Sequence, residues 1–122
     1  MSTLKVNTIQ NTSGVEVYTA KAWVNFDGTG TVAIRSSGNV SSITDNGTGD
    51  YTVNFTNAMT DANYSVSGTG SPVGTGYCVF VAHRNGSNGA TVAPTTSAVR
   101  VNTCNNTQTA SDVSYVNVVV LR

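Results

Sequence analysis

Few side chains in this sequence are suited to acid-base or nucleophilic chemistry. The chain has one histidine, His83, and one glutamate, Glu16. An enzyme needs an acid, a base or a nucleophile placed so that its pKa shifts or so that it holds a metal. No Ser/His/Asp set, glycosidase carboxylate pair or phosphate-binding glycine loop can be assembled by motif. His83 shares one face of a predicted strand with Tyr77, Val79 and Val81, which indicates a packed or surface residue. We therefore expect no enzyme and no cofactor.

The stretch DNGTGD, at residues 45–50, raises the question of a metal site. Closely spaced carboxylates chelate Ca²⁺ in some loops, but a helix-loop-helix calcium loop needs more acids and a closing glutamate. Asp45, Asn46 and Asp50 are not accompanied by either. We therefore interpret these residues as a chain turn and expect no metal.

The two cysteines, Cys78 and Cys104, have no CxxC or Cys/His spacing. They are interpreted either as small buried core residues or as a cross-strand disulfide. A reactive thiol is disfavoured.

Two loops rich in amides are candidates for sugar recognition, because sugar rings stack on aromatic faces while Asn, Asp and Arg hydrogen-bond to their hydroxyls. The first is HRNGSNGAT, residues 83–91, in which Arg84, Asn85 and Asn88 are the receptor-binding candidates. The second is VNTCNNTQT, residues 101–109. For both loops the alternative stays open that they are simple Gly/Asn turns.

The composition fits one β-rich domain without a charged partner. The chain has 122 residues and a mass of 12.6 kDa, and its six acids balance its six bases. Electrostatics therefore gives no reason to expect nucleic acid or an anionic membrane as a partner. No apolar run approaches the length needed to cross a bilayer, and MSTLKVNTIQ does not resemble a secretory signal, so we expect neither membrane insertion nor export by the usual route.

Apolar residues alternate with polar ones along most of the chain, which is the pattern of half-buried strands. Short strands separated by Gly, Asn, Asp and Ser are typical of a sandwich or small barrel. We predict an all-β fold with an antiparallel, jelly-roll-like β-sandwich. The predicted strands span residues 4–9, 15–26, 30–34, 40–44, 50–56, 63–68, 77–84, 97–103 and 113–122.

The tripeptide Gly-Thr-Gly occurs at residues 28–30, 47–49, 68–70 and 74–76. Glycine can adopt the positive φ of tight hairpin turns, and a preceding Asp or Asn stabilises such turns. The first two copies are predicted to be hairpin loops. The last two, in SGTGSPVGTGY, are predicted to form one longer connection.

The last predicted strand is apolar on both faces. Val116, Val118 and Val120 alternate with Tyr115, Val119 and Leu121. Either the strand lies in mid-sandwich with its second face covered by loops, or that face meets another subunit. We favour the subunit contact and assign its interface to Tyr115, Val116, Val118 and Val120.

Two stretches resemble tail-fibre and related virion appendage proteins of tailed bacteriophages, especially those infecting marine bacteria and cyanobacteria. STLKVNTIQNTSG, residues 2–14, is similar to the segment that begins many such fibres. Residues 20–66, from AKAWVNFDGTGTV to DANYSV, resemble a module near their C-terminal ends. Together these stretches cover about half the chain, and VSYVNVVVLR resembles the last strand of that module.

The resemblance implies a homotrimer, because such fibres are homotrimers as a class. It implies an extended N-terminal attachment arm over residues 1–20 and a β-sandwich head over residues 21–122. Leu4, Val6 and Ile9 are the residues expected to attach the arm to another virion protein.

The expected function is therefore that of a short tail fibre in the virion, assembled in the bacterial cytoplasm, whose head contacts the host surface through a glycan. The alternative is a capsid or tail decoration or adaptor protein with a purely structural role. A free carbohydrate-binding module is a third possibility, disfavoured by the missing signal peptide.

Overall fold

A computed structural model describes residues 2–15 and 17–122, and this part of the chain forms two antiparallel four-stranded sheets without a helix. Accordingly, it has no helix of the length and apolarity needed to cross a membrane. Sheet I has the order β2-β1-β8-β5, and sheet II has the order β3-β4-β7-β6. The strands are β1 (Ala20–Asp27), β2 (Ala33–Gly38), β3 (Val40–Gly47), β4 (Asp50–Phe55), β5 (Ser65–Gly70), β6 (Val79–Ala82), β7 (Ala98–Cys104) and β8 (Val116–Leu121).

The inward faces of the two sheets share one core, which is consistent with a β-sandwich. Phe26 of sheet I meets Tyr51 of sheet II edge to face, with ring centroids 5.1 Å apart. A second edge-to-face pair joins Phe55 to Tyr64, with centroids 5.7 Å apart. Such pairs add about 0.5–1.5 kcal/mol beyond the burial of their area. The all-β prediction is therefore confirmed.

Strand β1 shows how the sequence alternation builds the core. Ala22, Val24 and Phe26 are buried, whereas Trp23 is exposed and Asn25 is half-buried on the opposite face. Because successive side chains of a strand point to opposite faces, every second residue of AKAWVNFD faces away from the core. Eight of the nine predicted strands overlap an observed strand, although residues 30–34 share only two residues with β2, whereas residues 4–9 overlap none.

The Gly-Thr-Gly copies have different structural roles. Residues 28–30 lie in the loop of the β1–β2 hairpin, and residues 47–49 form the turn between β3 and β4, as predicted. Gly49 has a φ of 61° there, a conformation that residues with a side chain rarely adopt. Residues 74–76 close a small turn in which Val73 and Gly76 exchange backbone hydrogen bonds.

The prediction for the third copy was wrong, because residues 68–70 end strand β5 instead of forming a loop. A methyl group on Gly68 would overlap the Phe80 ring, which packs onto this strand from sheet II. Gly68 therefore allows the two sheets to pack closely at this point and does not form a turn.

The assignment of Val116, Val118 and Val120 to a subunit interface is corrected by the structure. These valines are 0%, 4% and 1% exposed and lie in the chain's own core, because sheet II covers that face of β8. A second subunit has no access to them in this fold. Tyr115 is exposed. The apolar residues on the outer face of β8 are therefore Val119 and Leu121, with Tyr115 just before the strand, and whether the chain forms a trimer stays a prediction.

Candidate functional site

A groove runs across the outer face of sheet I, with a volume of about 330 Å³. This is within the range of small-ligand sites, which is about 300–1,000 Å³. We call it the outer groove. The side chains that line it on the solvent side come from β1, β8 and β5 and are Trp23, Asn25, Asn117, Val119, Ser67 and Thr69.

The strand register arranges these side chains in two parallel rows. One row is Trp23, Val119 and Ser67, and the other is Asn25, Asn117 and Thr69. Neighbouring residues within a row lie on adjacent strands, about 4.8 Å apart, and the rows are two residues apart along each strand, about 6.6 Å. An aromatic row therefore lies beside an amide and hydroxyl row.

The indole of Trp23 lies against strand β2. A methyl group on Gly38, the residue that pairs with Trp23 in β2, would overlap the indole ring, so the ring packs directly on the Gly38 backbone. Trp23 is 43% exposed despite this contact. One aromatic surface is thus held in place and remains open to solvent.

The amide row keeps donors and acceptors free after its own hydrogen bonds are made. Arg35 donates to Oδ1 of Asn25 over 3.3 Å, which leaves the Asn25 amide nitrogen available as a donor. Asn117 donates from Nδ2 to Oγ1 of Thr69 over 3.3 Å. This leaves Oδ1 of Asn117 as an acceptor and the Thr69 hydroxyl proton as a donor.

The guanidinium of Arg35, which donates to the groove residue Asn25, already has an acidic partner in Asp27. Arg35 lies 3.5 Å from the Asp27 carboxylate and 4.0 Å from the centre of the Tyr115 ring. The hydrogen bonds from Thr29 and the charge of Arg35 lower the pKa of Asp27 below its usual value. None of the described residues that line the outer groove is ionisable.

The predicted receptor residues lie elsewhere, in a loop beyond the edge strand β6. Arg84 forms a β-bridge with Thr91 across this loop. The backbone N–H of Asn85 donates to the Ala90 carbonyl, and the Asn85 carbonyl accepts from the Gly89 N–H. Oδ1 of Asn85 accepts hydrogen bonds from Ser87, and Oδ1 of Asn88 accepts one from Ala90. Both asparagines therefore stabilise turns, in agreement with the alternative interpretation, and their role in receptor binding stays a prediction.

This loop covers an ion pair on the outer face of sheet II. Arg100 donates two hydrogen bonds to the Asp50 carboxylate, over 2.8 and 2.6 Å, and the Gly86 backbone donates a third over 2.9 Å. Burial raises the pKa of Asp50, but the hydrogen bonds from Arg100 and Gly86 outweigh it, so the pKa lies below its usual value. The Asp50 carboxylate, considered above as a metal ligand, is thus paired with the Arg100 guanidinium.

The other residues of the metal hypothesis have separate partners. Asp45 accepts a hydrogen bond from the Gly47 backbone, and Asn46 donates to Thr52. Within residues 2–15 and 17–122, no group of three or more His, Cys, Asp or Glu side chains is placed to hold a metal ion. Asp45, Asn46 and Asp50 are turn and packing residues here.

The remaining residues singled out in the sequence do not converge on a site. Cys78 and Cys104 are free thiols, and burial raises the pKa of the Cys78 thiol. The backbone of His83 bonds to Arg100 and Val92. Glu16 lies outside the described residues.

The predicted attachment residues Leu4, Val6 and Ile9 are exposed. Residues 2–15 and 17–19 contain none of the eight strands, although Val17 donates a backbone hydrogen bond to Ile9. Among the described residues, these apolar side chains are not part of the hydrophobic core.

The outer groove was missed in the sequence, although one signal for it was present. The alternation in AKAWVNF places Trp23 and Asn25 on the face opposite Val24 and Phe26. Their partners Asn117 and Thr69 follow only from the strand order, which the alternation does not contain.

In comparisons with known proteins, no family model, no curated protein and no solved structure matches the chain.

Proposed function

We propose that this protein is a virion appendage of a tailed bacteriophage, a short tail fibre whose β-sandwich head contacts a glycan on the host surface. It has no catalytic role in this proposal. The resemblance of residues 2–14 and 20–66 to such fibres supports the class of protein. The observation that supports contact with the host is the outer groove, where the exposed Trp23 lies beside a row of amides and a hydroxyl.

The N-terminal residues would attach the head to the particle and associate three copies. Leu4 is 86% exposed, and Val6 and Ile9 are at least half exposed. Single exposed apolar residues are common, but three within six positions outside any strand favour burial against another chain. Three copies would bind a surface by avidity, so each groove would need only weak affinity.

Two experiments test this proposal. Labelled antibodies against the protein should decorate the tail or fibre tips of particles in electron micrographs. Purified protein added to host cells should reduce phage adsorption in proportion to cell-bound protein. A particle that carries no label would contradict the proposal, as would adsorption that stays constant while the protein coats the cells.

The second candidate is a decoration or adaptor protein of the capsid or tail that binds nothing on the host. The self-satisfied hydrogen bonds of Asn85 and Asn88 favour it, because those loop amide oxygens are used within the chain. Label on the particle combined with no binding to host cells would select this candidate.

A further inference from the structure

We infer that the outer groove binds one uncharged pyranose ring, stacked on Trp23 and hydrogen-bonded by Asn25, Asn117 and Thr69. The inference rests on the proposed host-contact function and adds the site and the ligand class to it. Neither the predicted loop at residues 83–91 nor the core-facing side chains of Val116, Val118 and Val120 take part.

The shape of a pyranose matches the division of the groove into two rows. A pyranose has a face of C–H groups and an equatorial rim of hydroxyls, so it needs an aromatic plane beside hydrogen-bonding groups. Trp23 provides the plane, and Val119 beside it extends the apolar surface. The amide row begins about 6.6 Å further along the strands, a separation comparable to the width of one sugar ring.

The free hydrogen-bonding groups suit hydroxyls, which both donate and accept. The Asn25 amide nitrogen and the Thr69 hydroxyl can donate, and Oδ1 of Asn117 can accept. A ligand with acceptors alone would leave Asn117 without a partner. A sugar hydroxyl pair would satisfy both types of group.

The absence of charge on the groove lining selects for a neutral sugar. A carboxylate entering the groove would lose hydration without gaining a lining cation, which disfavours uronic and sialic acids. Arg35 does not reverse this, because Asp27 and the Tyr115 ring already hold its guanidinium.

The test uses the full chain and the emission of Trp23, which is the single tryptophan of the sequence and therefore reports on the groove alone. The probes are the methyl glycosides of glucose, galactose and mannose, with methyl glucuronide as the charged comparator. We expect a saturable emission change with one or more neutral glycosides, at dissociation constants on the order of 1 mM, and weaker binding of the glucuronide.

Variants then localise the binding, with affinity measured by calorimetry. Trp23→Ala and Asn117→Ala should each weaken binding about ten-fold or more. Gly38→Ala retains the tryptophan residue but should also weaken binding, because the added methyl group displaces the indole. Tyr77→Ala is the matched control, since it removes an aromatic that is 82% exposed but lies outside the groove, and it should leave affinity unchanged.

Three results would overturn the inference. The first is constant emission with all three neutral glycosides, and the second is binding that survives both Trp23→Ala and Asn117→Ala. The third is emission that changes with protein concentration and not with sugar, which would assign the groove to contact with a second copy. None of these results depends on the location of the protein in the virion. The sugar-binding experiments and the virion-labelling experiment therefore test the inference and the proposed function separately.

Discussion

The hydroxyl of Tyr51 lies 2.8 Å from a carboxylate oxygen of Asp112, a residue 61 positions further along the chain. The same hydroxyl lies 2.9 Å from the carbonyl oxygen of Gly28, and the same carboxylate oxygen accepts a hydrogen bond from the Gly49 backbone. One Gly-Thr-Gly copy is thus bonded to the Tyr51 phenol directly, and a second is linked to it through Asp112. The loops of both hairpins are positioned by this tyrosine and not by their glycines alone.

Replacing Tyr51 with Phe should destabilise the fold by about 1–2 kcal/mol, because it removes the hydroxyl proton that the buried Gly28 carbonyl and Asp112 share. Denaturant unfolding measures this, and Tyr77→Phe, at an exposed site, should leave stability unchanged. Equal stability of the Tyr51 variant and the parent would show that the hydroxyl contributes nothing.

The same tyrosine should make the fold sensitive to alkali. Burial and the Asp112 carboxylate raise the pKa of Tyr51 far above its usual 10.0. A raised pKa means that the stabilisation is fully present below pH 10 and is lost as the pH rises toward the folded value. Unfolding curves above pH 10 should therefore show a loss of stability that Tyr51→Phe reduces.

Asp50→Asn should cost about 3 kcal/mol, because it leaves the guanidinium of Arg100 without its buried partner. The Asp50 side chain is 5% exposed, whereas that of Asp61, which pairs with Arg122 at the same 2.6 Å, is 36% exposed. Asp61→Asn is therefore the matched control and should have little effect on thermal unfolding.

Asp50 also predicts acid sensitivity. Its pKa is lowered in the folded chain, so its stabilisation is present above the usual value of 3.8 and is lost as the pH falls below it. Stability measured from pH 6 down to pH 2 should decline more steeply in the parent than in Asp50→Asn. Parallel curves would contradict this assignment.

Gly68→Ala should destabilise the fold by about 1–3 kcal/mol, because the added methyl group overlaps the Phe80 ring between the sheets. Gly76→Ala is the control, because it adds the same methyl group to a glycine of another Gly-Thr-Gly copy, where it meets only ordinary contacts. Thermal unfolding should separate the two variants clearly. Equal melting temperatures would show that the sheets adjust without cost.

Changing Leu4, Val6 and Ile9 together to Asp should reduce the mass in solution from three chains to one and leave the melting of the sandwich intact. Aspartate cannot be buried against another chain without a partner. Light scattering measures the mass, and Thr3→Asp with Asn7→Asp and Thr12→Asp adds the same charge as a control. A parent that is already a single chain would refute N-terminal association.

The sequence predicted the strands because alternation is a local property. Val116, Val118 and Val120 were correctly placed on one face of a strand, but whether that face met the core or a second subunit depended on sheet II, which closes over it through distant residues. The outer groove could not be predicted for the same reason, because it also depends on which distant strands pair. Trp23 and Asn117 are neighbours only because β1 pairs with β8.

The loop over Asp50 also changes from anchored backbone to solvent-exposed surface within a few residues. Gly86 is tied to the carboxylate, whereas residues 87–90 extend into solvent and make no contribution to the core. A peptide inserted between Ser87 and Asn88 would therefore project into solvent, while Gly86 keeps the start of the loop fixed to Asp50. This tip is a suitable place to insert an epitope tag without disturbing either sheet.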